Sequence, residues 1–187
     1  MSGARSDSFA TVKDEVLELL GRVPRPPDVE SCPRATPKEL EDFAVWLGAR
    51  MPDELREWLR SCNGAPLGPG GVLGVGSAPK SLNILEVMSV VPEWRESRLI
   101  PIAGDGNGNY FVLAADSCEV RRGVYFIDTS ETFAHPAYVV ASGLWHFLRF
   151  LFWDELGETR WPFDRDYVVA HDPKIEALES DLLPWNT

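Results

Sequence analysis

The order of elements predicts an α+β protein, and three observations carry that prediction. Two amphipathic helical stretches fill residues 36–64, short apolar runs bounded by Gly, Asp and Ser follow between residues 72 and 141, and a strongly apolar helix begins after Ser142. Helices, then strands, then helices again is the α+β grouping rather than the alternation of a parallel α/β chain. The chain has 187 residues, which suggests one domain with short extensions. A chain of that length buries roughly 70% of its unfolded surface and needs no covalent staples.

Residues 8–20 read as a helix because Phe9, Val12, Val16 and Leu19 or Leu20 recur on one side, and Gly21 ends it. The stretch VPRPPDVESCPRA then carries four prolines in thirteen residues. The arm at 22–35 is expected to be extended and not packed. Thr36-Pro37-Lys38-Glu39 has the N-cap, the N1 proline and the third-position Glu of a capping box. Leu40, Phe43, Ala44 and Leu47 then make an apolar stripe that Gly48 stops. A second helix starts near Pro52-Asp53-Glu54, with Leu55, Trp58, Leu59 and Cys62 as its stripe and Asn63-Gly64 as its end.

From Ala65 the chain is rich in glycine and proline, with a short strand expected at Val72–Val75. Asn83–Val87 reads as a further strand or the start of a turn, and Pro92–Ser97 as a brief helix. Leu99–Ala103, Tyr110–Ala114, Gly123–Asp128 and Ala137–Ala141 read as strands of one buried sheet. Ser142 is the expected N-cap of the next helix, with Leu144, Phe147 or Leu148, and Leu151 inward. Trp153 and Trp161 are candidates to pack the tail onto the sheet, and a last helix is expected to end in LLPWN.

Composition narrows the function. Acidic residues number 29 against 18 basic, a formal net charge of −11. Such a surface repels phosphate backbones, so nucleic acid and anionic membranes are poor partners and a basic protein is a good one. Between Asp154 and Asp181, nine acidic residues face three basic ones, so the tail is expected to contribute to any charge-based docking face. Cys32, Cys62 and Cys118 are odd in number and far apart in sequence, giving neither a disulfide framework nor a C-x-x-C metal pattern. The N-terminus lacks a signal-peptide run, and the greasiest stretch, Tyr138–Trp153, is short for a bilayer. The expectation is an intracellular, cytoplasmic protein.

The stretch GDGNGNYFVL, Gly104–Leu113, is the sharpest motif. Asp105, Asn107 and Asn109 match the start of a calcium loop, but Tyr110 stands where the sharp turn needs glycine, Asp116 where a bidentate Glu belongs, and strands flank it. A dinucleotide fingerprint fails because position 109 is Asn and a strand follows. Asn-Gly between two apolar runs is instead a hairpin signal, since both residues tolerate positive φ. His135, His146 and His171 are scattered, and no nucleophile elbow or Cys/His signature is present. The sequence therefore offers no catalytic residue, no cofactor motif and no metal-ligand set.

Several stretches together resemble a known family. T-P-x-E-L followed by P-D-E-L-R-x-W-L-x-x-x-N-G, Thr36 to Gly64, is similar to the start of SUKH-superfamily domains. Ile100-Pro101-Ile102 through Gly108, the strand Tyr110–Leu113, the strand Gly123–Asp128 and the helix Ser142–Leu151 look like its later landmarks. One departure is the absence of the residue that usually separates Gly from Val in the third strand. The resemblance covers residues 36–156, leaving 1–35 as an N-terminal helix and arm and 157–187 as an acidic tail packed on the domain.

The resemblance implies a single α+β domain with a central, mostly antiparallel sheet flanked by helices, and a binding role without common catalytic residues. Many bacterial members look like immunity proteins that neutralise a cognate toxin, often a nuclease, and others look like interaction scaffolds, including a fungal cell-wall-synthesis regulator. The leading expectation is thus a non-enzymatic antitoxin for a basic toxin. A regulatory scaffold, or an enzyme acting on a small or cationic substrate in an acidic pocket, are the alternatives. The candidate partner-binding residues are Asp105, Asn107 and Asn109 at the hairpin tip, with Asp128 and Glu131 after the third strand.

Overall fold

A computed structural model describes residues 11–27, 32–115, 123–158 and 160–186. Residues 8–10 of the first expected helix, Cys118 and Asp116 lie outside these.

Helix α1 (Val12–Leu20) starts at Thr11, whose hydroxyl and the Asp14 carboxylate form a reciprocal capping box. It buries Val16 and Leu19. Helix α2 (Pro37–Leu47) has the same device in Thr36 and Glu39, buries Leu40, Phe43 and Leu47, and ends at Gly48 with φ 68°. That left-handed turn is one a side chain resists, which is why glycine stops the helix there. Helix α3 (Asp53–Leu59) buries Leu55, Trp58 and Leu59.

The proline-rich arm corrects the expectation of an unpacked linker. Val23 and Ala35 are buried. The Ala35 N–H donates to the Leu59 carbonyl, and the Asn63 N–H donates to the Pro33 carbonyl. Prolines keep such a segment extended, and extended chain can still lie against a core and bond to its exposed backbone groups. The Cys32 and Cys62 thiols meet where the arm crosses the end of α3. The hydrogen bond from Cys62 favours the Cys32 thiolate, bringing Cys32 down to about 7, while the contact with Cys32 and burial push Cys62 up.

Residues 65–79 are irregular, and the strand expected at Val72–Val75 is present only as bridges. Val72 bridges Ala65 and Ala103, and the Leu73 N–H donates to Ile102. This segment thereby covers the edge of the sheet, which would otherwise expose unpaired backbone. The fully buried Asn63 fixes it from the other side, donating to the Val75 carbonyl and accepting from the Val75 N–H.

Asn83–Val87 is neither strand nor turn. Asn83 accepts from the Leu85 N–H and caps helix α4 (Ile84–Val90), which buries Ile84 and Met88. Two large apolar residues one helical turn apart hold it against the core, which overrides the β preference of its valines. Helix α5 (Pro92–Glu96) buries Trp94.

The sheet is a four-stranded antiparallel meander in the order β1 (Leu99–Gly104), β2 (Tyr110–Ala114), β3 (Val124–Ile127) and β4 (Tyr138–Ala141). Irregularities lie at Pro101/Ala103 and Val124/Tyr125. The architecture is the expected single α+β domain. Helix α6 (Leu144–Glu155) runs through its centre with eight buried residues, so it has no polar face of ordinary width. Ser142 is not its N-cap. Gly143 holds that position, and Glu54 from α3 accepts the Leu144 N–H at 2.8 Å.

The tail returns along α6. Trp161 donates to the Val140 carbonyl at 2.8 Å, stacks on Phe150 and contacts Phe111 and Phe147 at steeper angles, packing the tail onto the sheet as expected. Helix α7 (Arg165–His171) follows, and Trp153 of α6 packs on its Tyr167 and His171. The final helix expected to end in LLPWN is replaced by two short 3-10 turns, Pro173–Ala177 and Ser180–Leu182.

Candidate functional site

The β1–β2 connection spans Asp105 to Asn109 and is closed by the Asp105 N–H donating to the Asn109 carbonyl. Asp105 is its hub. One carboxylate oxygen accepts from the Asn107 N–H (2.7 Å) and the Asn109 N–H (3.0 Å), and the other accepts from the Asn109 side-chain amide (2.8 Å). Burial works against ionisation, and these donors outweigh it, holding the carboxyl below its ordinary value. Gly106 and Gly108 take positive φ, whereas Asn107 does not. The hairpin is therefore a longer, Asp-centred loop and not a tight two-residue Asn-Gly turn. Beneath it, a side chain at Gly70 would lie 2.4 Å from the Gly104 carbonyl carbon, so the Pro69-Gly70 backbone can support the loop only without one.

The five candidate residues come together at this end of the sheet, in different roles. The Asn109 amide oxygen accepts from the Thr129 N–H (3.0 Å) and hydroxyl (3.2 Å), tying the hairpin to the turn after β3. Asp128 closes that turn by accepting from the Ser130 N–H (2.9 Å) and hydroxyl (2.6 Å). Asp105, Asn109 and Asp128 are half-buried braces, while Asn107 and Glu131 are exposed. Tyr138 senses the local field. Burial, then the charges of Asp105 and Asp128, push its phenol up to about 12.

Beside the braced loops lies a groove of about 800 Å³ between α4, Tyr110 of β2 and the loop before β4. Val87, Val90, Val91, Tyr110 and Phe133 give it an apolar lining, with Lys80, Glu86, Gly108 and Thr129 among the other walls. Its floor is fixed: Trp94 packs edge-on against Tyr110 and donates to the Phe133 carbonyl at 2.6 Å. These residues are absent from the sequence-based candidates because Asn83–Val87 reads there as a strand or turn and not as helix α4. The signal was present, since Asn83 precedes Ile84 and Met88 at helical spacing and so places Val90 off the buried stripe.

A second polar cluster joins α1, α3, α6 and α7. Asp172 is fully buried and accepts from the Ser142 hydroxyl (2.5 Å) and N–H (2.6 Å). His146 lies 3.9 Å from it, its imidazole pushed down by burial against the attraction of Asp172. Arg149 donates to Glu15 of α1 (3.2 Å) and to the His171 carbonyl, and its guanidinium lies over Trp153. A histidine and a carboxylate do converge here, but Asp172 is sealed and occupied by Ser142. The cluster fastens α1 and the tail to α6.

Much of the tail's acidity is likewise engaged internally: Asp164 caps α7, Glu176 pairs with Arg165 at 2.5 Å, and Glu179 accepts from the Tyr125 hydroxyl at 2.8 Å. Among the described residues, no group of three or more His, Cys, Asp or Glu side chains is placed to hold a metal ion. Among the same residues, no helix is long and apolar enough to cross a membrane.

No curated protein matches the chain. The sequence profile of the SMI1 / KNR4 family (SUKH-1) matches residues 34–149, from the end of the arm to the middle of α6 and well over half the chain. The matched span includes helices α2 and α3, the braced hairpin and the whole meander. The chain belongs to the SMI1 / KNR4 family (SUKH-1).

Proposed function

We propose that this chain is an immunity-type protein, a non-enzymatic binder that neutralises a basic toxin such as a nuclease in the cytoplasm. The observation that carries the reading is the hairpin end of the sheet. There Asp105, Asp128 and Glu131 gather on loops that brace one another internally, in a chain of net charge −11. A surface already rigid before binding loses little entropy on docking, and an acidic one steers a basic partner and rejects acidic ones. Family membership supports a binding role, and the sealed Asp172 cluster favours it over the acidic-pocket enzyme.

Affinity capture with the tagged full chain from its own cells, washed at low and then moderate salt, tests the proposal. One basic protein retained in near-stoichiometric amount and loosened by salt is the expected result. Several unrelated partners held at both salt levels would favour the regulatory scaffold. Retention of acidic proteins alone would overturn the electrostatic reading.

A further inference from the structure

We infer that the groove between α4 and the braced loops seats one large apolar side chain of the protein partner, presented on a segment with lysine or arginine beside it. The inference rests on the protein-binding reading above and specifies the chemistry of the partner's contact. Val90 is 80% exposed and Phe133 45% exposed, yet both line one groove with Val87 and Tyr110. Scattered surface valines need no explanation, whereas a contiguous apolar concavity does. Val90 also contributes nothing evident to α4, whose packing comes from Ile84 and Met88.

Charge selects the occupant. Among the described residues, Lys80 is the groove's only cationic lining residue, and its ammonium lies 3.9 Å from Glu86. Asp128 and Glu131 flank Thr129 and Phe133 of the same wall, and Asp105 braces the loop that carries Gly108. An apolar centre within an acidic rim suits an apolar anchor with cationic neighbours: the anchor leaves water and the cations stay at the wet edge. A second copy of this chain would bring a net charge of −11 to the same rim. The groove is also preformed, since the Trp94–Phe133 bond and the Asn109–Thr129 bonds fix its walls.

A random peptide library displayed on phage and selected on the immobilised full chain tests this. The selected peptides are expected to carry Leu, Ile, Phe or Trp next to Lys or Arg. The strongest, fluorescently labelled and titrated with full-length protein, should bind about tenfold or more weakly to V90D and F133S. V45D is the control, because Val45 on α2 is 76% exposed and outside the groove. V45D should bind like the wild type.

Failure to select peptides, selection of acidic ones, or equal losses in V90D and V45D would overturn the inference. Sedimentation showing a wild-type dimer that V90D dissolves would assign the groove to a second copy and also overturn it. Capture of a partner at full yield by V90D would sink the groove and leave the binding reading standing. Failure of the wild type to hold any protein would sink that reading itself.

Discussion

Asp172 and Asp105 use the same chemistry in opposite settings. Each carboxylate gathers donors from a neighbouring segment: Asp172 takes both polar hydrogens of Ser142, and Asp105 takes two backbone N–H groups and an amide from its own loop. Asp172 is fully buried and joins segments thirty residues apart, whereas Asp105 is half-buried and joins residues at most four apart. A buried hub has no water to replace its partners, so its loss is felt by the whole fold. An exposed hub can be partly replaced by water, so its loss is felt by one loop. Stability is thus concentrated at the junction of α1, α6 and the tail, and the loops proposed for recognition can vary with less cost to the core.

Asp172→Ala should give the largest effect. It strands the Ser142 N–H and hydroxyl and removes the charge facing His146, at a cost of about 3 kcal/mol, or roughly 10 °C in melting temperature for a chain of this size. Thermal unfolding checks this, and a loss as small as that of a surface variant would refute the idea of a buried lock. Asp172→Asn, which keeps one acceptor, should cost less than Asp172→Ala.

Asp105→Ala should cost about 1 kcal/mol, because its donors can turn to water. Hydrogen exchange should quicken at Asn107 and Asn109 and remain unchanged in α6. Faster exchange across the whole sheet would mean that the loop brace also supports the core, and the contrast between the two hubs would fail.

The two regions were not equally legible in the sequence. Asn-Gly between apolar runs located the hairpin, and Thr36 with Glu39 located the start of α2, because both signals lie within a few residues. The role of Asp105 as loop hub was hidden by its likeness to a calcium ligand. Asp172 is not legible because Ser142 is thirty positions away, and local sequence makes Ser142 a cap whose place Gly143 takes. The packing of the arm is not legible either, because proline marks extended chain but says nothing about whether Val23 and Ala35 find a core to enter. The groove was missed through one helix, α4, whose valines favour strand locally while Ile84 and Met88 anchor it as a helix.

A smaller effect follows from protonation at the buried junction. Burial, assisted by Arg149 and Lys174 and opposed by Asp172, lowers the pKa of His146. The unfolded chain then takes up this proton first, so the contribution of His146 to stability is complete above about pH 6.5 and is lost as pH falls toward its folded value. Glu54 works in the other direction. Burial raises its pKa, so its contribution is complete below about pH 4 and declines as pH rises through its folded value. His146→Gln should remove the loss of stability just below pH 6.5, measured by urea unfolding across that range. An unchanged pH profile would mean that His146 is solvated well enough to titrate normally.

The smallest change in stability should come from Asn107→Ala with Glu131→Ala, and this pair gives the sharpest test of the binding face. Replacing all five candidate residues together would confound recognition with loop collapse, since Asp105, Asn109 and Asp128 hold the loops in place. Asn107 and Glu131 are exposed; the bonds that tie the two loops together come from other groups, and the Asn107 side chain adds only the weakest of the hydrogen bonds that favour the Asp105 carboxylate. Their double substitution should leave unfolding within about 0.5 kcal/mol of the wild type. Affinity for the captured partner should nevertheless fall severalfold, mainly through slower association at low salt, because rim charges act on encounter more than on residence. If stability and association are both untouched, the partner does not approach over the hairpin tip. The braces would then serve the groove wall alone, and the docking face would centre on Val90 and Phe133.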